Sequence, residues 1–138
     1  MSRRVWRITK TLSEVADAAA AAEASCIEWG ADESQALRIG LALDELAANA
    51  LLHGAQTEVP ATISAELWAD NGMLRLRIDA TGPGFDPRQC RDAEPNADIA
   101  IGGRGIALVL AFADELSYRR EGQRNITDFA VRSVGSEP

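Results

Sequence analysis

The sequence predicts an α+β domain in which a largely antiparallel sheet is covered on one face by helices. Three observations carry this. Short alternations of apolar and polar residues recur along the chain, two long helix-periodic segments follow the first of them, and turn signals join neighbouring strand candidates into pairs. The resulting order is β-α-α-β-β-α-β-β, and its adjacent strand pairs favour antiparallel pairing.

Val5 to Thr9 opens the chain as a strand, with Val5, Arg7 and Thr9 alternating with Trp6 and Ile8. Thr11 or Ser13 is placed to cap the next helix, with Glu14 and Asp17 as acids near its positive end. That helix, which includes the alanine run Ala18 to Ala22, extends to about Trp29 and stops at Gly30. Asp32 caps a second helix from Glu33 to His53, closed by Gly54. Its apolar positions Leu37, Leu41, Ala48 and Leu52 predict the buried stripe, with Leu46 and Leu51 also turned to the core.

Ala61 to Ala69 reads as a strand with Ile63, Ala65 and Leu67 on one face, and Asp70-Asn71-Gly72 is a hairpin signal. In the return strand, Met73 to Ala80, the residues Leu74, Leu76, Ile78 and Ala80 face the core and Arg75, Arg77 and Asp79 face water. From Thr81 to Gly103 the chain is rich in glycine, proline and charge without helix or strand period; such a long loop in a small domain is usually functional or disordered. A short helix, Gly105 to Phe112, precedes two closing strands, Glu115 to Arg119 and Ile126 to Val134, with a turn near Gly122. There is no internal repeat, and residues 1–138 read as one domain.

Composition limits the function classes. A net charge of -7, with Lys10 the only lysine and the arginines scattered, argues against a direct nucleic-acid surface. No apolar run is long enough for a membrane helix, and MSRRVWRITKTLSE carries charge without the apolar core of a signal peptide. Cys26 and Cys90 fit no metal-ligand spacing and read as reduced thiols. The expected setting is cytoplasmic.

The unusual feature lies in the second helix. ELAANALLHG, Glu45 to Gly54, sets Glu45, Asn49 and His53 at intervals of four. Each side chain is then offset by only ~40° from the last, giving a carboxylate, a carboxamide and an imidazole on one face. Such a face suits a cation and a bound anion better than a core. Each group also has an ordinary reading: Glu45 as a solvated carboxylate, Asn49 as a buried amide, His53 as a partner of the carbonyls at the helix end.

Two glycine segments flank the long loop: Thr81-Gly82-Pro83-Gly84-Phe85-Asp86 after a core strand, and Gly102-Gly103-Arg104-Gly105 at a helix entry. A glycine-rich helix entry exposes unpaired amides at its positive end, which suits phosphate. Arg104 is either a phosphate partner or a surface charge.

In order and separation these segments resemble the GHKL ATPase superfamily of histidine kinases, gyrase-type ATPases and Hsp90. ELAANALLHG resembles its N-box, TGPGFDP its first glycine box and GGRGIALV its second. The short length, with the N-box near the middle and no appended phosphoacceptor helices, resembles the bacterial anti-sigma-factor serine/threonine kinases. The resemblance implies the Bergerat fold: a two-layer α/β sandwich with a mostly antiparallel mixed sheet. It also implies ATP and Mg²⁺ as ligands. On matching positions, Asn49 would hold the metal, with His53 beside it, and Glu45 would be the general base. Gly82 and Gly84 would shape the adenine side; Gly103, Arg104 and Gly105 would meet the phosphates. Residues at about 86–103 would form a lid, and Thr127 would support the base.

One position departs from the pattern. Relatives carry an aspartate two residues before the first glycine of TGPG, where it accepts a hydrogen bond from the adenine amino group; here that residue is Ala80. Asp79 stands in only if a one-residue bulge swings it inward. Without an acceptor, recognition loses ~1–3 kcal/mol.

The implied activity is that of an ATP/Mg²⁺-dependent anti-sigma factor kinase. It would phosphorylate a STAS-type antagonist on serine or threonine and sequester a sigma factor, and the resemblance, to relatives that often dimerise, allows a homodimer. Two alternatives stay open: a non-catalytic regulatory module of the same fold, and a histidine-kinase catalytic domain acting in trans.

Overall fold

A computed structural model describes residues 2–9, 11–54, 62–92 and 103–133. In chain order these form β1 (Arg3–Ile8), α1 (Leu12–Glu28), α2 (Glu33–Gly54), β2 (Ile63–Asp70), β3 (Met73–Thr81), a 3-10 helix (Pro87–Asp92), α3 (Gly103–Phe112), β4 (Glu115–Glu121) and β5 (Arg124–Arg132). The strands make one five-stranded sheet in the order β1-β2-β3-β5-β4, antiparallel at every pairing. The sheet is therefore antiparallel throughout rather than mixed. Since β5 is antiparallel to both neighbours, β3 and β4 point the same way, but β5 lies between them and no parallel ladder forms.

Local chemistry fixes the element ends. Thr11 caps α1: its hydroxyl accepts from the Glu14 amide at 3.2 Å, while the Glu14 carboxylate accepts from the Thr11 amide at 3.0 Å. Gly30, at φ +96°, ends α1 in a conformation that glycine adopts freely. Asp32 Oδ1 accepts from the Gln35 amide at 2.9 Å and opens α2. Asn71 and Gly72 both have positive φ, 51° and 76°, as a two-residue type I′ hairpin requires.

Helices cover one sheet face. Leu74, Leu76, Ile78 and Ala80 of β3, Ile63, Ala65 and Leu67 of β2, and Thr127, Phe129 and Val131 of β5 are buried beneath them. The other face carries Arg–carboxylate pairs, including Arg77–Asp128 at 2.7 Å and Arg75–Glu115 at 3.0 Å. Trp68 lies beside the guanidinium groups of Arg3 and Arg77. Alanines 18, 19 and 22 of α1 are buried together with Cys26. Burial, and then the nearby Glu23, pushes the Cys26 thiol up to about 12, so it stays protonated.

The buried stripe of α2 differs from the one the spacing predicts. Ala36, Ile39, Ala42, Leu43, Leu46 and Ala47 face the core, whereas Leu37 is 59% and Leu52 41% exposed, and Leu41, Ala48 and Leu51 are half-buried. Alanine fills much of the interface, so the large residues alone point the wrong way. The loop expected from Thr81 to Gly103 also contains structure, the 3-10 helix at Pro87–Asp92; residues 93–102 lie outside the described residues.

The rotated stripe has a direct test. Leu43→Ala removes a fully buried side chain and is expected to cost about 2–5 kcal/mol in urea unfolding. Leu37→Ala should change stability by no more than about 0.5 kcal/mol.

Candidate functional site

A pocket lies between the C-terminal half of α2, the ends of β3 and β5, and the turn after β3. In it Leu46, Ala50 and His53 of α2 face Ile78 and Ala80 of β3, Thr127 and Asn125 of β5, and the turn residues Gly82, Pro83 and Phe85. The free space there is ≈ 20 Å³, about that of one water. His53 and Phe85 close it, stacked with centroids 4.1 Å apart and 26° between planes. His53 therefore meets an aromatic ring of the glycine turn.

The turn after β3 is fastened to the sheet by one side chain. Asn125 Nδ2 donates to the Pro83 carbonyl at 2.9 Å, and its Oδ1 accepts from the Phe85 amide at 3.2 Å. The same oxygen accepts from the Tyr118 hydroxyl and, at 3.0 Å, from Arg120. Sequence reasoning missed Asn125. Its signal was a carboxamide on the inward face of a strand that otherwise turns Thr127, Phe129 and Val131 inward. Gly82, at φ +146°, donates its amide to the Gln123 carbonyl at 3.0 Å. Gly84 is exposed and a Cβ there would make only ordinary contact with Arg120, so sterics do not demand glycine at that position. Asp86 then starts the 3-10 helix. It accepts from the Arg88 amide and guanidinium, each at 2.9 Å, and the hydrogen bond to the Arg88 side chain holds its carboxyl below the usual range.

Asp79 does not reach this pocket. The β3 register continues unbroken through Asp79↔Ser64 on one side and Asp79↔Ile126 on the other, with no bulge. Its carboxylate lies on the opposite sheet face, where Arg124 Nε donates to it at 2.9 Å. Ala80, 3% exposed, occupies the inward position. Thr127 does line the pocket; it is 6% exposed, and its hydroxyl bonds to no side chain or backbone group among the described residues.

Outside that pocket, α2 meets α3. A Cβ built on Gly105 would fall on the Glu45 carboxylate, so glycine is what lets the carboxylate lie against the first turn of α3. Burial, and then the neighbouring Asp44, raises the Glu45 carboxyl above the ordinary glutamate value. One turn on, Asn49 is 4% exposed and its Nδ2 donates to the Glu45 carbonyl at 2.7 Å. That bond turns the amide nitrogen to the helix and leaves Oδ1 as the end available to a ligand. Gly103 begins α3; the Arg104 side chain lies outside the described residues.

The donor set is that of a shared site. Among the described residues no group of three His, Cys, Asp or Glu side chains converges on a metal position. A single neutral oxygen, Asn49 Oδ1, fits Mg²⁺ when phosphate oxygens and water complete its shell. The unpaired amides at the start of α3 suit those phosphates. His53, Gly82 and Thr127 thus line one pocket; Glu45 lies against Gly105 where α2 meets α3, one helical turn from Asn49; Gly84 follows in the turn after β3, and Asp79 is on the opposite sheet face.

Two outcomes follow from the Glu45–Gly105 contact. Glycine to alanine inside a helix ordinarily stabilises by about 0.5–1 kcal/mol; Gly105→Ala should instead destabilise, and should revert to stabilising in a Glu45→Ala background. Urea unfolding of the four proteins checks this. The raised folded-state pKa of Glu45 makes the native state bind the proton more tightly than the unfolded chain. Its contribution is therefore most favourable below the unfolded value and is lost as pH rises through the folded one. Glu45→Gln should remove that falling component from a stability–pH profile.

The family model for the histidine kinase-like ATPase domain matches residues 8–131. Among solved structures the chain is similar to the Acinetobacter baumannii histidine kinase AdeS, at 16% identity over 95% of this chain and 69% of that one, with a TM-score of 0.47. No curated protein matches the chain. No helix among the described residues is long and apolar enough to cross a membrane. With a match over so much of its length, the chain belongs to the histidine kinase-like ATPase domain family, within the GHKL superfamily.

Proposed function

We propose that the protein binds ATP with Mg²⁺ in this cleft and transfers the γ-phosphoryl group to a serine or threonine hydroxyl of a STAS-type antagonist, while also holding a sigma factor. One observation carries the enzymatic part: a half-buried carboxyl of raised proton affinity, Glu45, lies against the first turn of α3, one helical turn from Asn49.

The chain's groups divide the work. Asn49 Oδ1 would hold Mg²⁺, which when bound neutralises triphosphate charge. The amides of α3 would orient the phosphates. Glu45 would accept the proton of the attacking hydroxyl; its raised pKa brings its basicity nearer to that demand. Phe85, His53 and the apolar wall at Ala80 would exclude water from the base. The partners rest on the motif resemblance described above.

A second reading has its own support. The inward position is Ala80, Asp79 is engaged by Arg124, and the pocket is closed by the His53–Phe85 stack. These favour a regulatory module that keeps the fold with weak nucleotide binding and acts by stoichiometric occlusion.

Incubation with a candidate antagonist and labelled ATP separates the two readings. The kinase reading expects acid-stable label on the antagonist, lowered about 10²–10⁴-fold by Glu45→Ala. Acid-labile label would mean a phosphohistidine product and a histidine-kinase domain acting in trans. Calorimetry should show Mg²⁺-dependent ATP binding that Asn49→Ala abolishes; no heat at millimolar ATP would establish the occlusion reading.

A further inference from the structure

We propose that the base pocket does not single out adenine, and that ATP and GTP bind with similar affinity. This rests on the nucleotide-binding reading of the cleft and concerns what that cleft selects.

The pocket has few groups that read a base edge. Asn125, the only carboxamide among the described residues of its wall, is spent: both ends of its amide are bonded to Pro83, Phe85, Tyr118 and Arg120. The Gly82 amide is engaged by Gln123, and Pro83 has no amide hydrogen to offer. Among the described residues no carboxylate lines the space, because the unbroken register of β3 holds Asp79 on the far face with Arg124. The inward side chains near the base are Ala80, Ile78 and Leu46.

Thr127 remains. Its side chain is more than nine-tenths buried, lines the pocket, and has no partner among the described residues. A hydroxyl both donates and accepts, so it can serve the 6-amino group of adenine as acceptor or the 6-oxo group of guanine as donor. A carboxylate acceptor, by contrast, would favour the first and repel the second. The other recognition element is aromatic: Phe85 and His53 offer ring faces, and a purine that parts them is held by stacking, which every base satisfies. A site built on a directed hydrogen bond rejects the analogue lacking it by about 10⁴-fold. Among the described residues of this pocket neither a carboxylate nor a free carboxamide supplies such a directed group.

Dissociation constants for ATP and for GTP, each with Mg²⁺, test the proposal on the full chain. The wild-type values should agree within about tenfold. Thr127→Val should weaken both nucleotides together and leave their ratio unchanged within about threefold. Ala80→Asp should shift the ratio toward ATP by about tenfold or more. A wild-type preference for ATP beyond about a hundredfold, or a Thr127→Val variant that weakens one nucleotide alone, overturns the proposal and leaves the nucleotide-binding reading standing. Failure of both nucleotides to bind at millimolar concentration overturns both. Since the wild-type ratio needs no variant, a misfolded Ala80→Asp protein does not spare the proposal.

Discussion

On β3 the side chains of Leu74, Leu76, Ile78 and Ala80 are driven beneath the helices by burial, and the same two-residue period sends Arg75, Arg77 and Asp79 to the open face. The strand has β2 on one side and β5 on the other, with continuous register to both. Re-aiming one residue would require slipping or bulging two ladders at once, which would turn buried leucines outward. Much of the cleft follows from this constraint. It places Ala80 in the wall and, through the pairing of Ile78 with Thr127, puts the Thr127 hydroxyl beside it. It also commits Asp79 to Arg124, as Arg77 is committed to Asp128.

α2 has to serve the core and the cleft together. Its core face is narrow and rich in alanine, which lets the helix lie close over the sheet. Gly40 carries the same economy to the contact with α1, where a Cβ would strike the Glu23 side chain. Glu45, Asn49 and His53 run along the border of that face and meet three different neighbours: the entry of α3, the helix's own backbone and the ring of Phe85. A row that looks uniform at four-residue spacing becomes three environments, because α3 and the turn after β3 approach α2 at different heights.

Features governed by near neighbours were legible in the sequence. The cap at Thr11, one of two candidates with Ser13, the Asp32 cap, the Asn71-Gly72 turn and the strand alternations rest on residues a few positions apart, and they form. The face of α2 was not legible. Leucines stand nearly all round that helix, so spacing offers several stripes, and only packing against α1 and the sheet selects one. The Asn125 network was hidden for another reason. It joins Asn125 to Pro83 and Phe85 across about forty residues, and its geometry exists only once β3 and β5 are in register. The 3-10 helix at Pro87–Asp92 is too short to show a period; Asp86 two residues before Arg88 was its one local sign.

The pocket beside Ala80 and the α2–α3 contact at Glu45 differ in how they are built. Around Ala80 and Phe85 the walls are apolar, and the closure is a single stacked pair of rings. Around Glu45 the packing is tight enough to require glycine at residue 105, and a carboxylate is kept half-buried with no ion-pair partner among the described residues. An apolar side chain at position 45 would spare the fold that desolvation. Strain of this kind collects where a group's chemistry matters more than its stability. Under the proposed function, the free energy of nucleotide binding must then come mainly from the phosphate end, through Asn49 with its cation and the amides of α3. The base end contributes stacking and one hydroxyl. Binding built this way depends on the charge of the triphosphate and on the metal far more than on the identity of the base.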